Sequence, residues 1–494
     1  MTPVSPGTVS LSAVSAPETV DLAGIGVGPF NLALAALAEP VAGLRTAFLD
    51  EKPEFSWHPG MMIEGAALQV PFLADLVSLV DPTSRHSYLA WLRDTGRLFG
   101  FYFAERWHVP RREYEAYCRA VAASLPSCRF GERVTAVDLT RLPDGRDGFE
   151  LVYEKPDAAT ATILTADLVL GIGTEPYTPP ALRGLHAPHS AEYLDQRDHI
   201  QAADDVTVLG SGQSGAEVVL DLLRTWHRPG RRLRWLTRST AFEPMEYSKL
   251  GLEHFTPDYT EHFHGLAEPV RDTLLAGQDR LYKAASAETL AQIRAELDDR
   301  AFPDGVTRTG VTLMPGAEAV AGRRDGDGFV LEFRHRQTAE RFAVRTRRLV
   351  LATGYAPRRP EFLAALDPLA EHDDAGRWAV GRDRRVRLEG TGARLFVQNA
   401  ELHTHGVGTP DLGLGAHRAA AILNAVARRP VHPPPGRTAH TAFAPAVAAA
   451  ADPGIALNTE EPGHDTWQHG RIGGPRPARD PGDDLRPAAP VRPR

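Results

Sequence analysis

Two glycine-rich turns constrain this chain more than anything else in its sequence. Gly24-Ile25-Gly26-Val27-Gly28-Pro29 follows an apolar run over residues 20–26 and leads into a helical pattern from Asn31 to Leu37, then a second apolar run from Leu44 to Leu49. The order returns about 185 residues later with Val206–Gly210, the turn Gly210-Ser211-Gly212-Gln213-Ser214-Gly215, a helical pattern Ala216–Leu223 and the run Leu233–Leu236. Strand, glycine turn, helix and strand form a βαβ unit with a helix N-terminus facing the turn. Two such units predict an α/β protein with two Rossmann-like dinucleotide-binding domains, and 494 residues are too many for one ordinary core.

The turns differ in chemistry. In the first, glycine at 24 allows the tight turn and glycine at 26 lets a pyrophosphate approach the backbone at the helix N-terminus. Gly28 and Pro29 replace the usual third glycine, so the helix entry is a variant. Asp50-Glu51 closes the next strand, where a carboxylate binds ribose hydroxyls, so this site suits FAD. The second turn is a full G-x-G-x-x-G, and Arg238 of Thr237-Arg238-Ser239 stands where the first unit has its acid. A guanidinium there pairs with a 2′-phosphate, so this site suits NADPH. Two dinucleotide sites imply hydride transfer from nicotinamide to flavin. A disulfide reductase would need a close cysteine pair, and Cys118 and Cys128 are the only cysteines, with no CxxC.

Composition narrows the class. Hydrophobic residues make up 43% and charged residues 24%, as in a soluble globular protein, and the net charge of -8 gives no footprint for nucleic acid or an anionic membrane. The first 20 residues lack the pattern of a secretory leader, so a cytoplasmic location is expected. No metal-ligand spacing is present. The expected domains are 20–195 (FAD, first part), 196–345 (NADPH, with substrate-region helices at about 245–300), 346–428 (FAD, second part) and a Pro/Ala/Arg-rich tail, 429–494, too poor in core-forming pattern to order.

Further motifs point to one family. Phe55-Ser56-Trp57-His58-Pro59-Gly60-Met61, Leu68-Gln69-Val70-Pro71-Phe72-Leu73-Ala74-Asp75-Leu76, Asp81-Pro82-Thr83-Ser84, Ala352-Thr353-Gly354-Tyr355 and Thr404-His405-Gly406 stand in this order around the two glycine turns. Over residues 20–427 the chain resembles the siderophore-type flavin-dependent N-hydroxylating monooxygenases, which act on ornithine, lysine or diamines such as putrescine and cadaverine. The resemblance implies a FAD domain built from both ends of the chain, an inserted NADPH domain and a smaller, largely helical substrate region. It implies that NADPH reduces FAD, that dioxygen is the co-substrate, and that a C4a-hydroperoxyflavin is attacked by a neutral terminal amine. FAD contacts are expected at Gly24, Gly26, Gly28, Pro29, Asn31, Asp50, Glu51, Lys52, Trp57, His58, Asp411 and Leu412, with Gln69 against the flavin ring. NADPH contacts are expected at Gly210, Gly212, Gln213, Ser214, Gly215 and Arg238. No covalent catalytic residue is implied. His58 and His405 read as structural rather than proton-transfer groups, and a homo-oligomer is expected.

Departures from the family pattern bear on substrate. The ornithine enzymes hold the substrate's α-carboxylate and α-amine with a lysine, two asparagines and a serine, and this chain has Ala74, Leu252, Leu281 and Gly413 at those spacings. Burying a carboxylate there without a cation costs several kcal/mol. A substrate lacking that group, putrescine or cadaverine, is therefore expected, with lysine N6-hydroxylation, then ornithine N5-hydroxylation, as alternatives should Lys249 or Lys283 supply a cation. Glu246 and Asp411 are candidate partners for a distal ammonium. A reading from another class is a flavin-binding redox sensor. Gly184 to Tyr193 matches only loosely the fingerprint of sulfur and Baeyer–Villiger oxygenases.

Overall fold

In the computed structural model, which describes residues 17–226, 230–302 and 309–452 with 454, 455 and 457, the first apolar run is the parallel strand Glu18–Ile25. It lies between Thr160–Leu170 and Thr46–Asp50 at the centre of a sheet that also holds Cys128–Phe130 and Arg394–Val397. A hairpin of Arg133–Arg141 and Asp147–Glu154 extends Thr160–Leu170 on its antiparallel side. The helix Pro29–Ala38 is buried along nearly its whole length, and Leu32, Leu34 and Leu37 share a core with Ile422 and Leu423 of the helix Gly415–Ala427. Both ends of the chain therefore build this domain.

The second turn opens a separate parallel sheet, in the order Val311–Met314, Arg232–Leu236, Asp205–Leu209, Arg348–Leu351. This corrects the expected boundary at 345/346. Arg348–Leu351 pairs with Asp205–Leu209, and the fully covered Leu349 and Leu351 pack with Leu209 and Leu236. Chain entry and exit then run side by side, as Thr174–Pro176 and Tyr355–Pro357 pair antiparallel. Ala317–Asp325, Gly328–His335 and Arg341–Thr346 form a three-stranded antiparallel sheet absent from the sequence reading, although Phe329, Leu331 and Phe333 alternate at strand period. The helices expected over 245–300 are Pro257–His264, Glu268–Gly277, Asp279–Tyr282 and Ala287–Ala301, with Thr256 and Ser286 capping two of them.

The expectation of a structureless chain from 429 is corrected for residues 429–441. Asp258 accepts the backbone N–H groups of Thr438 and Ala439 at 2.9 and 3.0 Å. Glu253 accepts those of His440 and Thr441 at 3.1 and 2.8 Å, together with the Thr441 hydroxyl. Asn424 brackets His432 by two further bonds. Carboxylates from the helical region, rather than apolar periodicity, hold this strap, and composition gives no sign of them. Residues from Ala442 form a separate unit with a helix at Pro445–Ala451, and most of the expected tail lies outside the described residues.

Candidate active site

The first glycine turn is shaped from behind. Gly26 has φ +86°, and a Cβ there would lie 2.6 Å from the Gly171 carbonyl oxygen, so only glycine fits. Asn31 donates from Nδ2 to the carbonyls of Ile25 and Gly26 at 3.2 and 2.7 Å, and its Oδ1 accepts from Gln398 at 2.6 Å. Its polar atoms are thus engaged within the protein, which makes Asn31 a clasp on the turn. Gln398 was not foreseen, since nothing in local sequence links it to a residue so far away. Asp50 is also engaged, accepting from Val27 N at 2.7 Å and Lys52 N at 2.9 Å, which leaves the neighbouring Glu51 exposed at the strand end. Gly28, the N-cap, has nothing within 4 Å of a notional Cβ, so the helix N-terminus is open. This cradle fits a dinucleotide pyrophosphate with a carboxylate beside it for ribose.

The second turn fits one equally well. Gly210 has φ +115° with a notional Cβ 2.1 Å from the Ala352 carbonyl oxygen, and one on Gly215 would meet the Gly210 carbonyl oxygen at 2.2 Å. Helix Gln213–Thr225 starts at Gly212, with Ser214 in its first turn. Arg238 is exposed just beyond the adjacent strand.

Gln69 reaches the start of the helix that follows the second turn. Its Nε2 donates to Gln213 Oε1 at 3.0 Å and lies 3.7 Å from Met245 Sδ. Gln213 Oε1 also accepts from Ser286 N, and its Nε2 donates to Glu217 and Thr289. A cavity of about 250 Å³ adjoins these amides, lined also by His108, Tyr247 and Glu288. His58, in the left-handed region with φ 50°, sits edge-on to Trp57 and Tyr355. Desolvation, then the Arg111 and Lys52 cations, press its imidazole down to about 4, so it is neutral. Leu412 lies partly buried against the first domain's core. His405 is 2% exposed, bonded to Thr404, and held well below its usual value by burial, which removes it from any open site.

The departures from the amino-acid pattern converge in part. A notional Cβ on Gly413 would lie 3.8 Å from Ala74 Cβ and 2.7 Å from Asp411 Oδ1, so these three form one wall. Asp411 Oδ1 accepts from Gly413 N at 2.7 Å, and desolvation raises its carboxyl above the ordinary range. The loop is fixed by Arg418, 1% exposed, which donates to the Thr409 carbonyl at 2.6 Å and stacks 4.2 Å from the centroid of Phe30. Leu252 and Leu281 stand apart from this wall, and their chain neighbours Gly251 and Arg280 meet Glu246, the first against its side chain and the second through a backbone bond. The Glu246 carboxylate already accepts from Ser248 N at 2.7 Å, which with the Ser248 hydroxyl keeps its pKa low. Of the two lysines considered, Lys283 is paired with Asp279 at 2.8 Å and Lys249 lies over the Tyr247 ring. Cys118 and Cys128 are free, and burial pushes Cys118 well above its usual value and Cys128 to about 12, so neither is a thiolate nucleophile.

Comparison with known proteins agrees with this geometry. Residues 18–357 match the family described as L-lysine 6-monooxygenase/L-ornithine 5-monooxygenase. A putrescine N-hydroxylase of Shewanella oneidensis is 40% identical over 429 residues, covering 86% of this chain and 84% of that protein. The FAD-bound crystal structure of DfoA, the desferrioxamine-pathway cadaverine monooxygenase of Erwinia amylovora, superposes with a TM-score of 0.82 at 37% identity, over 86% of this chain and 98% of that one. The ornithine N-hydroxylase KtzI of Kutzneria sp. 744, solved with reduced FAD, NADP+ and L-ornithine, gives a TM-score of 0.76 at 26% identity, over 83% and 99%.

Proposed function

The chain belongs to the L-lysine 6-monooxygenase/L-ornithine 5-monooxygenase family, and on that premise we propose that it hydroxylates one terminal amine of an aliphatic diamine, putrescine or cadaverine, for hydroxamate siderophore biosynthesis. FAD is the resident cofactor, NADPH the reductant and dioxygen the co-substrate. Bound FAD would supply the redox chemistry by which electrons from NADPH let one oxygen atom of dioxygen reach the amine nitrogen, the other leaving as water. Gly24, Gly26 and Gly28 with Glu51 hold FAD, and the turn Gly210–Gly215 with Arg238 holds NADPH. Gln69, held by its bond to Gln213, would contact the flavin ring.

The observation that carries the diamine reading is the wall made by Ala74, Gly413 and Asp411. Ala74 and Gly413 stand where the ornithine enzymes place a lysine and a serine, and the Asp411 carboxylate lies beside them. Asp411 pairs with the ammonium remote from the reacting nitrogen, and the small Ala74 and Gly413 beside it offer no competing cation. Glu246 is the weaker candidate because it lies against Gly251, apart from the wall of Ala74, Gly413 and Asp411. The proposed setting is the cytoplasm, where NADPH is supplied, and no helix among the described residues is long and apolar enough to cross a membrane. A homo-oligomer is supported by exposed aromatics on one short helix, Phe99, Tyr102 and Phe103.

An amine panel scored for hydroxylamine rather than NADPH oxidation tests the reading. Putrescine or cadaverine should give the highest kcat/KM, and a higher value for lysine or ornithine would overturn the diamine assignment.

A further inference from the structure

The three-stranded sheet that the sequence reading missed delivers a second cation to the end of the second βαβ unit. The turn Gly316 donates from N to the Ser239 carbonyl at 2.7 Å, Ala317 N to the Thr237 carbonyl at 2.8 Å, and Arg336 N to the Gly316 carbonyl at 2.8 Å. Thr237 is in turn 2.9 Å from Ser211 of the glycine turn, hydroxyl to hydroxyl. Four segments distant in sequence are thereby fastened at one corner. There the Arg336 guanidinium reaches over and donates from Nη1 to the Arg238 carbonyl at 3.4 Å.

Charge at this corner is unbalanced. Among the described residues neither Arg238 nor Arg336 makes an ion pair within 4 Å, and the one acid that feels both, Glu318, is held by Arg334 at 2.8 Å. Two exposed guanidiniums on fixed backbone, beside the exposed hydroxyl residues Ser239 and Thr240, form a receptor for a dianion.

We propose that Arg336 is a specificity-determining residue for the reductant, clamping the 2′-phosphate of NADPH together with Arg238. This rests on the reading of the second turn as the NADPH site. The three-stranded sheet then has a task in coenzyme choice beyond covering the second core.

The test measures binding of 2′,5′-ADP and 5′-AMP to the FAD-loaded protein by calorimetry, with steady-state KM for NADPH and NADH alongside. Arg336→Ala should weaken 2′,5′-ADP about tenfold or more, the loss of a charge-assisted contact, and change 5′-AMP by less than about twofold. Arg336→Lys should fall between. Unchanged 2′,5′-ADP affinity in Arg336→Ala, with a clear loss in Arg238→Ala, overturns the role of Arg336 and leaves the coenzyme site standing. No loss in either variant removes both. Equal losses for the two nucleotides would mark Arg336 as a structural residue only.

Discussion

Arg111 donates to both carboxylate oxygens of Glu217, at 2.7 and 2.9 Å, and so joins a helix of the first domain to the helix that begins at the second glycine turn. The pair is largely covered, at 13% and 5% exposure, and Arg111 Nη1 also reaches the Met61 carbonyl. Glu217 accepts from Gln213 as well, so the ion pair leads through Gln213 to Gln69.

Removing one partner leaves the other charge buried and unpaired. Arg111→Ala should destabilise the protein by about 3–5 kcal/mol and raise the KM for NADPH, while the apolar double variant Arg111→Met/Glu217→Leu recovers much of the stability but not the KM. Thermal melts and initial rates separate these effects. A double variant with wild-type KM would show that the pair does not position the second domain.

Asp411→Asn should raise the diamine KM by about 10- to 100-fold, the worth of a charged hydrogen bond of roughly 1.5–3 kcal/mol. Burial raises the Asp411 carboxyl, so the wild-type enzyme binds diamine fully above that raised pKa and loses affinity as pH falls through it. The variant should lack this acid limb. A KM–pH curve identical to wild type would remove Asp411 from the substrate site.

Ala74→Lys brings an ammonium to the wall shared with Gly413 and Asp411. Diamine turnover should fall because the new charge neutralises Asp411 and repels the substrate, and lysine or ornithine should be admitted weakly. Restoring a serine at 413 as well would force the Asp411 carboxylate to shift, since its Cβ would approach Asp411 Oδ1 to 2.7 Å. Kinetics with all four amines check the direction. Improved diamine turnover would contradict it.

Truncation separates two parts of the C-terminal sequence. A chain ending at 441 should keep FAD content and turnover near normal. One ending at 428 strips the partners of Glu253 and Asp258 and should loosen the segment that carries Leu252, raising the diamine KM more than that for NADPH. Equal kinetics for both truncations would make the strap dispensable.

His189 and His417 are each held near 4, mainly by burial. The unfolded value is about 6.5, so the unfolded chain takes up more protons as pH falls. Their contribution to stability is complete above about 6.5 and declines toward 4, by roughly 1–2 kcal/mol each at pH 5. His189→Asn keeps an acceptor for the Ala191 N–H and should flatten the fall in Tm between pH 7 and 5. An unaltered slope would assign the acid sensitivity to other groups.

The sequence showed both βαβ units because glycine spacing and apolar runs are local signals, and Gly26 and Gly210 meet backbone carbonyls as that spacing requires. It marked Ala74, Leu252, Leu281 and Gly413 because missing polar residues are visible against a motif, but not that Ala74 and Gly413 stand together. What stayed hidden depends on contacts between distant segments. Arg348–Leu351 reads as a strand but does not announce which sheet it joins. Asn31 and Asp50 look like cofactor ligands until their partners Gln398 and Val27 are seen. Arg111 and Glu217 carry no local signature at all.

The paired segments Thr174–Pro176 and Tyr355–Pro357 bring the two crossings into the inserted domain side by side. Entered and left at one doorway, the insertion adds a whole second sheet without interrupting the one built on Glu18–Ile25. Chain ends that lie close together are what lets one domain be spliced into another.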